Sequence, residues 1–133
     1  MNKAELDRNE QLTEHVVHDL NIQPQLPYDD SSFDFITNVV SVDYLNHPVE
    51  LFVEMMRVMR PGGVAIMSFS NRMFWTKAIK LWTGSNEWQR VLVCAAYFHF
   101  TGFQDIQAFE ITTGEGNPMF VVRGTKPKGK SEL

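Results

Sequence analysis

One stretch of this chain leaves little freedom to the rest. Residues 26–70 read LPYDDSSFDFITNVVSVDYLNHPVELFVEMMRVMRPGGVAIMSFS. Two apolar runs of β character, Asp34–Val42 and Gly63–Ser70, bracket an amphipathic helical pattern at Pro48–Arg60. A strand, a crossover helix and a second strand joined by short turns form a parallel pair, because parallel neighbours need a long connection. Everything else in the chain must pack against that unit.

Each part of the unit has a local cause. Phe33–Val42 is β-branched and almost uniformly apolar. A strand covered on both faces has this composition, which favours a parallel sheet. Pro48 suits the first position of a helix, where a missing N–H costs nothing. Val49, Phe52, Val53, Met56 and Met59 then follow helical spacing. Glu50 and Glu54 come early and Arg57 and Arg60 late, as the helix dipole prefers. Pro61 is expected to stop the helix, and Gly62 to supply the positive φ of a tight turn. Val64, Ala65, Ile66, Met67 and Phe69 make the second buried strand.

The flanks complete an α/β pattern. Asn2–Leu12 reads as a surface helix, with Asn2 and Glu5 in capping-box spacing. His15–Leu20 (HVVHDL) is a short β-run centred on Val16 and Val17, and Asn21–Ser32 is loop. After the second strand the pattern predicts a loop at Asn71–Phe74 and helices at Trp75–Trp82 and Glu87–Phe100. A hairpin of Asp105–Thr112 and Pro118–Gly124 turns through Thr113–Asn117. The order implies one α/β domain over residues 1–124, mainly parallel with an antiparallel end, and a disordered tail over 125–133.

Composition closes off several functions. The net charge is −4, with no basic stripe, so broad nucleic-acid binding is disfavoured. Cys94 is the single cysteine, which excludes an intrachain disulfide and a Cys-rich zinc site; its apolar neighbours mark it as a small core residue. His15, His18, His47 and His99 have no ligand spacing with carboxylates, so no metal site is expected. No apolar run approaches the roughly 18 residues of a membrane helix.

Two motifs carry a resemblance. Leu26-Pro27-Tyr28-Asp29-Asp30-Ser31-Ser32-Phe33-Asp34 and Glu54-Met55-Met56-Arg57-Val58-Met59-Arg60-Pro61-Gly62-Gly63 are similar to the segments before the fourth and fifth strands of class I S-adenosylmethionine-dependent methyltransferases, the type 11 group in particular. Both occur in the family's order and separation, and the resemblance covers Asn2 to about Arg123. It implies an incomplete Rossmann-like methyltransferase sandwich with strands 3, 4, 5, 7 and 6. His15–Leu20 would be strand three, Phe33–Ser41 strand four, Gly63–Ser70 strand five, and the hairpin strands six and seven. Strands one and two, with the Gly-rich turn at the cofactor, have no counterpart in this sequence. The lone Gly114-Glu115-Gly116 lies in a hairpin turn and does not replace that motif.

The resemblance also implies site residues. Asp19 matches the position whose carboxylate accepts from the adenine amino group, with Leu20 beside it; the plainer alternative is a loop cap. Asn38 and Val39 fall where strand four passes the cofactor's sulfonium, although sheet core explains them equally well. Asp43 and Tyr44 after strand four, and Asn71 and Arg72 after strand five, lie toward the methyl-acceptor side, or are solvated loop. No residue declares itself a general base. Methyl transfer from a sulfonium needs mainly in-line positioning of the nucleophile, and a base where the acceptor must lose a proton.

Two functions follow as expectations. One is a truncated methyltransferase acting on a small-molecule acceptor, binding S-adenosyl-L-methionine weakly or not at all by itself. The other is a non-catalytic remnant acting as a partner or dimerisation module. Without strands one and two, Phe33–Ser41 would be an exposed apolar edge prone to self-association, unless His15–Leu20 paired with it. The default compartment is the cytoplasm, or the plastid if a transit peptide lies upstream.

Overall fold

The computed structural model describes residues 3–39, 45–70, 87–111 and 119–129. Helix α1 (Lys3–Arg8) precedes β1 (Phe33–Val39), α2 (Pro48–Val58), β2 (Met59–Ser70), α3 (Glu87–Phe100), β3 (Gln104–Ile111) and β4 (Met119–Thr125). The four strands form one mixed sheet in the order β1-β2-β4-β3. The β1–β2 ladder is parallel, while β2–β4 and β4–β3 are antiparallel. This is the expected order 4-5-7-6 of a Rossmann-like methyltransferase sheet. The expected helix Trp75–Trp82 and the turn Thr113–Asn117 lie outside the described residues.

The expected strand His15–Leu20 does not join the sheet. It contains two consecutive valines, and successive strand side chains point to opposite faces. A single valine on each face buries too little to hold six residues against an edge, and Val16 and Val17 both remain 49% exposed. The first helix is also shorter than its pattern, ending at Arg8 with no buried residue.

Helix α2 ends earlier than Pro61 requires. Met59 is already extended (φ −87°, ψ 145°) and its N–H donates to Met55 O. The residue before a proline avoids the helical region, and here the change of course begins one residue sooner still, because Met59 pairs with Phe33 of β1. The ladder then skips from Met59 to Val64 on β2 while β1 advances only from Phe33 to Phe35. The intervening Arg60-Pro61-Gly62-Gly63 bulges out. Gly62 takes φ +84°, as expected. At Gly63 a Cβ would stand 2.8 Å from Asp34 O and 2.9 Å from Arg60 O, so no side chain fits there.

The core lies between α2, α3 and one face of the sheet. Leu51, Phe52, Met55 and Val58 of α2 are buried, whereas Val49 and Val53, expected on the same stripe, are half exposed. The helix carries two adjoining apolar stripes, and the sheet takes the one centred on Phe52. Phe52 meets Phe98 at 4.9 Å and Phe103 at 6.4 Å, both edge to face, and Tyr97 at 5.5 Å. Ala65, Met67 and Phe69 of β2 and Phe120 and Val122 of β4 supply the floor. Cys94 is fully buried among them, and burial pushes its thiol pKa up to about 12.

The opposite face of the sheet has no helix against it among the described residues. Register places Phe35, Thr37 and Val39 beside Val64, Ile66 and Ser68 on that side, followed by Val121 and then Phe109. Phe35 is 70% and Val39 66% exposed. Among the described residues β1 is therefore an edge strand with one covered face, not the doubly covered strand that its composition suggests.

Candidate functional site

The expected site residues that the structure describes, Asp19, Leu20, Asn38 and Val39, belong to the end of the sheet where β1 and β2 finish. In α/β sheets the carboxyl ends of parallel strands face the ligand crevice. Asp19 Oδ1 accepts from the N–H of Asn21 at 3.0 Å, and Asp19 O accepts from the N–H groups of Ile22 and Gln23. The carboxylate thus organises its own turn, which is the loop-cap alternative, while the residue as a whole stays exposed. Leu20 packs on the core as a partly buried side chain. Asn21 Oδ1 then accepts from the N–H of Asn46 at 2.8 Å. That bond ties the Asp19 turn to the segment between β1 and α2, where Leu45 enters the core.

Asn38 and Val39 are the last two residues of β1. Asn38 faces the helical layer opposite Met67, and its carbonyl accepts from Ser68 Oγ at 3.5 Å. Val39 faces the open side. The structure therefore brings Asp19 and Leu20 to the same sheet end as Asn38 and Val39. Asp43, Tyr44, Asn71 and Arg72 lie outside the described residues.

The chemistry of these residues can be compared with what one end of S-adenosylmethionine would need. An exposed carboxylate offers a second oxygen to an amino group, Leu20 offers an aliphatic wall, and the end of β1 offers main-chain groups. No Gly-rich turn stands in the sequence to approach the methionine end of the molecule. Among the described residues there is no cluster of three His, Cys, Asp or Glu side chains placed to hold a metal ion.

The two sequence motifs turn out to serve the opposite end of the sheet. Arg57 Nε donates to Glu54 Oε2 at 2.8 Å and Nη2 to Glu54 Oε1 at 2.9 Å, a two-point pairing. Arg57 Nη1 donates to Tyr28 O and to Asp30 Oδ1, both at 2.8 Å, and Nη2 donates to Leu26 O at 3.0 Å. Glu54 Oε1 also accepts the N–H of Leu26 at 2.9 Å. The LPYDD segment and the ExxR segment are therefore a single clamp that fastens the approach to β1 onto α2. The Arg57 guanidinium holds the Glu54 carboxyl below its ordinary pKa of 4.5, and the carboxylates in turn raise that of Arg57.

Sequence reasoning assigned Glu54 and Arg57 to the helix dipole and missed the clamp. The signal was the three-residue spacing of Glu54 and Arg57, which puts both on one helix face. It also missed Lys126, whose Nζ donates to Met56 O at 2.7 Å and Met59 O at 2.8 Å, satisfying free carbonyls at the end of α2. The backbone of Lys126 pairs both ways with the glycine bulge, Gly62 N–H to Lys126 O and Lys126 N–H to Gly63 O.

Comparison with known proteins agrees with the architecture. The family model described as a methyltransferase domain matches residues 1–67. No curated protein matches the sequence. Among solved structures, a chain from the complex of the Haloferax volcanii Trm112 methyltransferase activator with a methyltransferase superposes with a TM-score of 0.60 at 18% identity, covering 84% of this chain and 61% of that one. An S-adenosylmethionine-dependent methyltransferase from Thermotoga maritima gives 0.58 at 20% identity, covering 77% and 60%. Another from Aquifex aeolicus gives 0.57 at 19%, covering 85% and 54%. At these identities the likeness is one of fold. The chain spans little more than half the length of the structures it matches.

Proposed function

The chain belongs to the methyltransferase-domain family, and from that premise we propose that it provides part of an S-adenosyl-L-methionine site serving methyl transfer to a small-molecule acceptor. The observation that carries the reading is the Asn21–Asn46 hydrogen bond, which holds the Asp19 turn at the carboxyl end of the parallel pair. S-adenosyl-L-methionine, when bound, supplies an electrophilic methyl group. Asp19 would accept from the adenine amino group, Leu20 would cover the base, and the end of β1 at Asn38 and Val39 would pass the sulfonium. Asp43, Tyr44, Asn71 and Arg72 would orient the acceptor.

A second reading, a non-catalytic partner module, is favoured by one specific feature. The sequence holds no Gly-rich turn, and among the described residues β1 is the outermost strand of the sheet. The Haloferax volcanii structure, in which a methyltransferase is complexed with an activator protein, supports a protein partner for either reading.

Titration of the chain with S-adenosylhomocysteine, followed by amide NMR, separates the two. The first reading predicts saturable shifts clustered at Asp19–Asn21, Asn38 and Val39, and at least a tenfold weaker response in Asp19→Ala, about 1.4 kcal/mol of lost binding. Shifts scattered over the surface and unchanged by D19A would favour the second.

A further inference from the structure

The turn that carries Asp19 is held by more than its own carboxylate. Asp19 O accepts the N–H of Ile22 at 3.2 Å and the N–H of Gln23 at 2.9 Å, a single helical turn that does not continue. Asp19 Oδ1 accepts the N–H of Asn21 at 3.0 Å, which fixes one carboxylate oxygen inside the turn. The preceding side chain, His18, reaches across to the other end, with its Nε2 2.8 Å from Gln23 O. A carbonyl oxygen only accepts, so Nε2 is the donor and must carry a hydrogen. Both backbone groups of Gln23 are thereby engaged, the N–H with Asp19 and the carbonyl with His18. His18 is half-buried although Asp19 beside it is exposed.

We propose that His18 is a positioning residue for the cofactor carboxylate: by donating from Nε2 to Gln23 O it closes the turn 19–23 and holds Asp19 where its second oxygen can meet an adenine amino group. The inference rests on the reading of Asp19 given above and adds the residue that controls it. The need is physical. A surface turn with few buried contacts opens readily. An acceptor that must be ordered when the ligand arrives loses part of the affinity it could give. Three ties oppose that loss. Leu20 is seated on the core, Asn21 Oδ1 accepts the N–H of Asn46 at 2.8 Å, and His18 fastens the far end at Gln23. The first two hold the start and middle of the turn against the sheet, and His18 joins its two ends. His18 acts through the backbone, so all that is asked of it is one directed donor at the ε2 position. A glutamine amide nitrogen has a similar reach, whereas a phenylalanine ring keeps the bulk and has no donor.

Titration of the full chain with S-adenosylhomocysteine, read by amide NMR in the wild type, His18→Phe and His18→Gln, tests it. In the wild type the neutral His18 ring should hold its hydrogen on Nε2, which the ring nitrogen shifts read directly. In H18F the Ile22 and Gln23 N–H groups should exchange about fivefold faster and S-adenosylhomocysteine should bind about fivefold more weakly, the scale of one net hydrogen bond. H18Q should bring both back to within about twofold of the wild type. Circular dichroism checks that the variants fold, and if H18F does not, the wild-type tautomer and H18Q decide. A neutral ring protonated on Nδ1 overturns the proposal. So does saturable binding at Asp19–Asn21 that H18F leaves unchanged or that H18Q fails to restore; either overturns the role of His18 alone. A wild type with no saturable shifts overturns the reading of Asp19 itself, and this role with it.

Discussion

The two faces of the sheet have similar sequences and opposite fates. Toward α2 and α3, Ala65, Met67, Phe69, Phe120 and Val122 are sealed under a cluster of interlocking aromatic rings. On the other side, Phe35 and Val39 stand in the open although they come from the same apolar run. A strand that is apolar on both faces records two packing partners, and the described chain supplies one of them. The difference teaches that burial in this protein is decided by what the neighbouring layer provides, not by the composition of the strand.

Substitutions should reproduce that asymmetry. The largest effect is expected inside: Phe52→Ala empties the centre of the ring cluster and should cost about 3–5 kcal/mol in urea unfolding, enough to leave the chain largely unfolded. Arg57→Ala opens the clamp and strands the Glu54 carboxylate, which is mostly buried, at about 2–3 kcal/mol; Arg57→Lys should recover only part, because an ammonium cannot pair two oxygens in a plane. The clamp also sets a pH dependence. The Glu54 pKa is lower folded than unfolded, so the unfolded chain binds the extra proton in the window below its ordinary value of 4.5. Its contribution is complete above that value and is lost as pH falls through the depressed folded pKa. In Glu54→Gln the acid slope of the urea midpoint should shrink. The smallest effect belongs to the open face, where Phe35→Ser should change the stability of the monomer by no more than about 0.5 kcal/mol. A Phe35 effect as large as that of Phe52 would mean that the two faces are not different after all.

Much of this was legible beforehand because it is local. The strand–helix–strand unit, the positive φ of Gly62, the extent of α3, the burial of Cys94 and the place of the hairpin follow from periodicity and turn chemistry. What failed was tertiary. His15–Leu20 has strand-like residues but joins no sheet among the described residues, and helical spacing alone does not reveal which of two apolar stripes on α2 meets the sheet. The clamp of Arg57 joins residues 27 to 31 positions apart. A motif can be matched without revealing that its parts bond to one another. Of the candidate site, the sequence pointed to Asp19 and the end of β1, but not to the Asn21–Asn46 bond that holds them at one end of the sheet.

Our central proposal is that Asp19, Leu20 and the end of β1 supply one wall of an S-adenosyl-L-methionine site. Isothermal titration calorimetry of S-adenosyl-L-methionine into the chain tests it most directly. The account predicts a dissociation constant weaker than about 100 µM, or no measurable heat, since one wall of contacts gives less than about 5.5 kcal/mol. Binding near 1 µM would contradict it, because affinity of that order requires a site that this chain completes by itself.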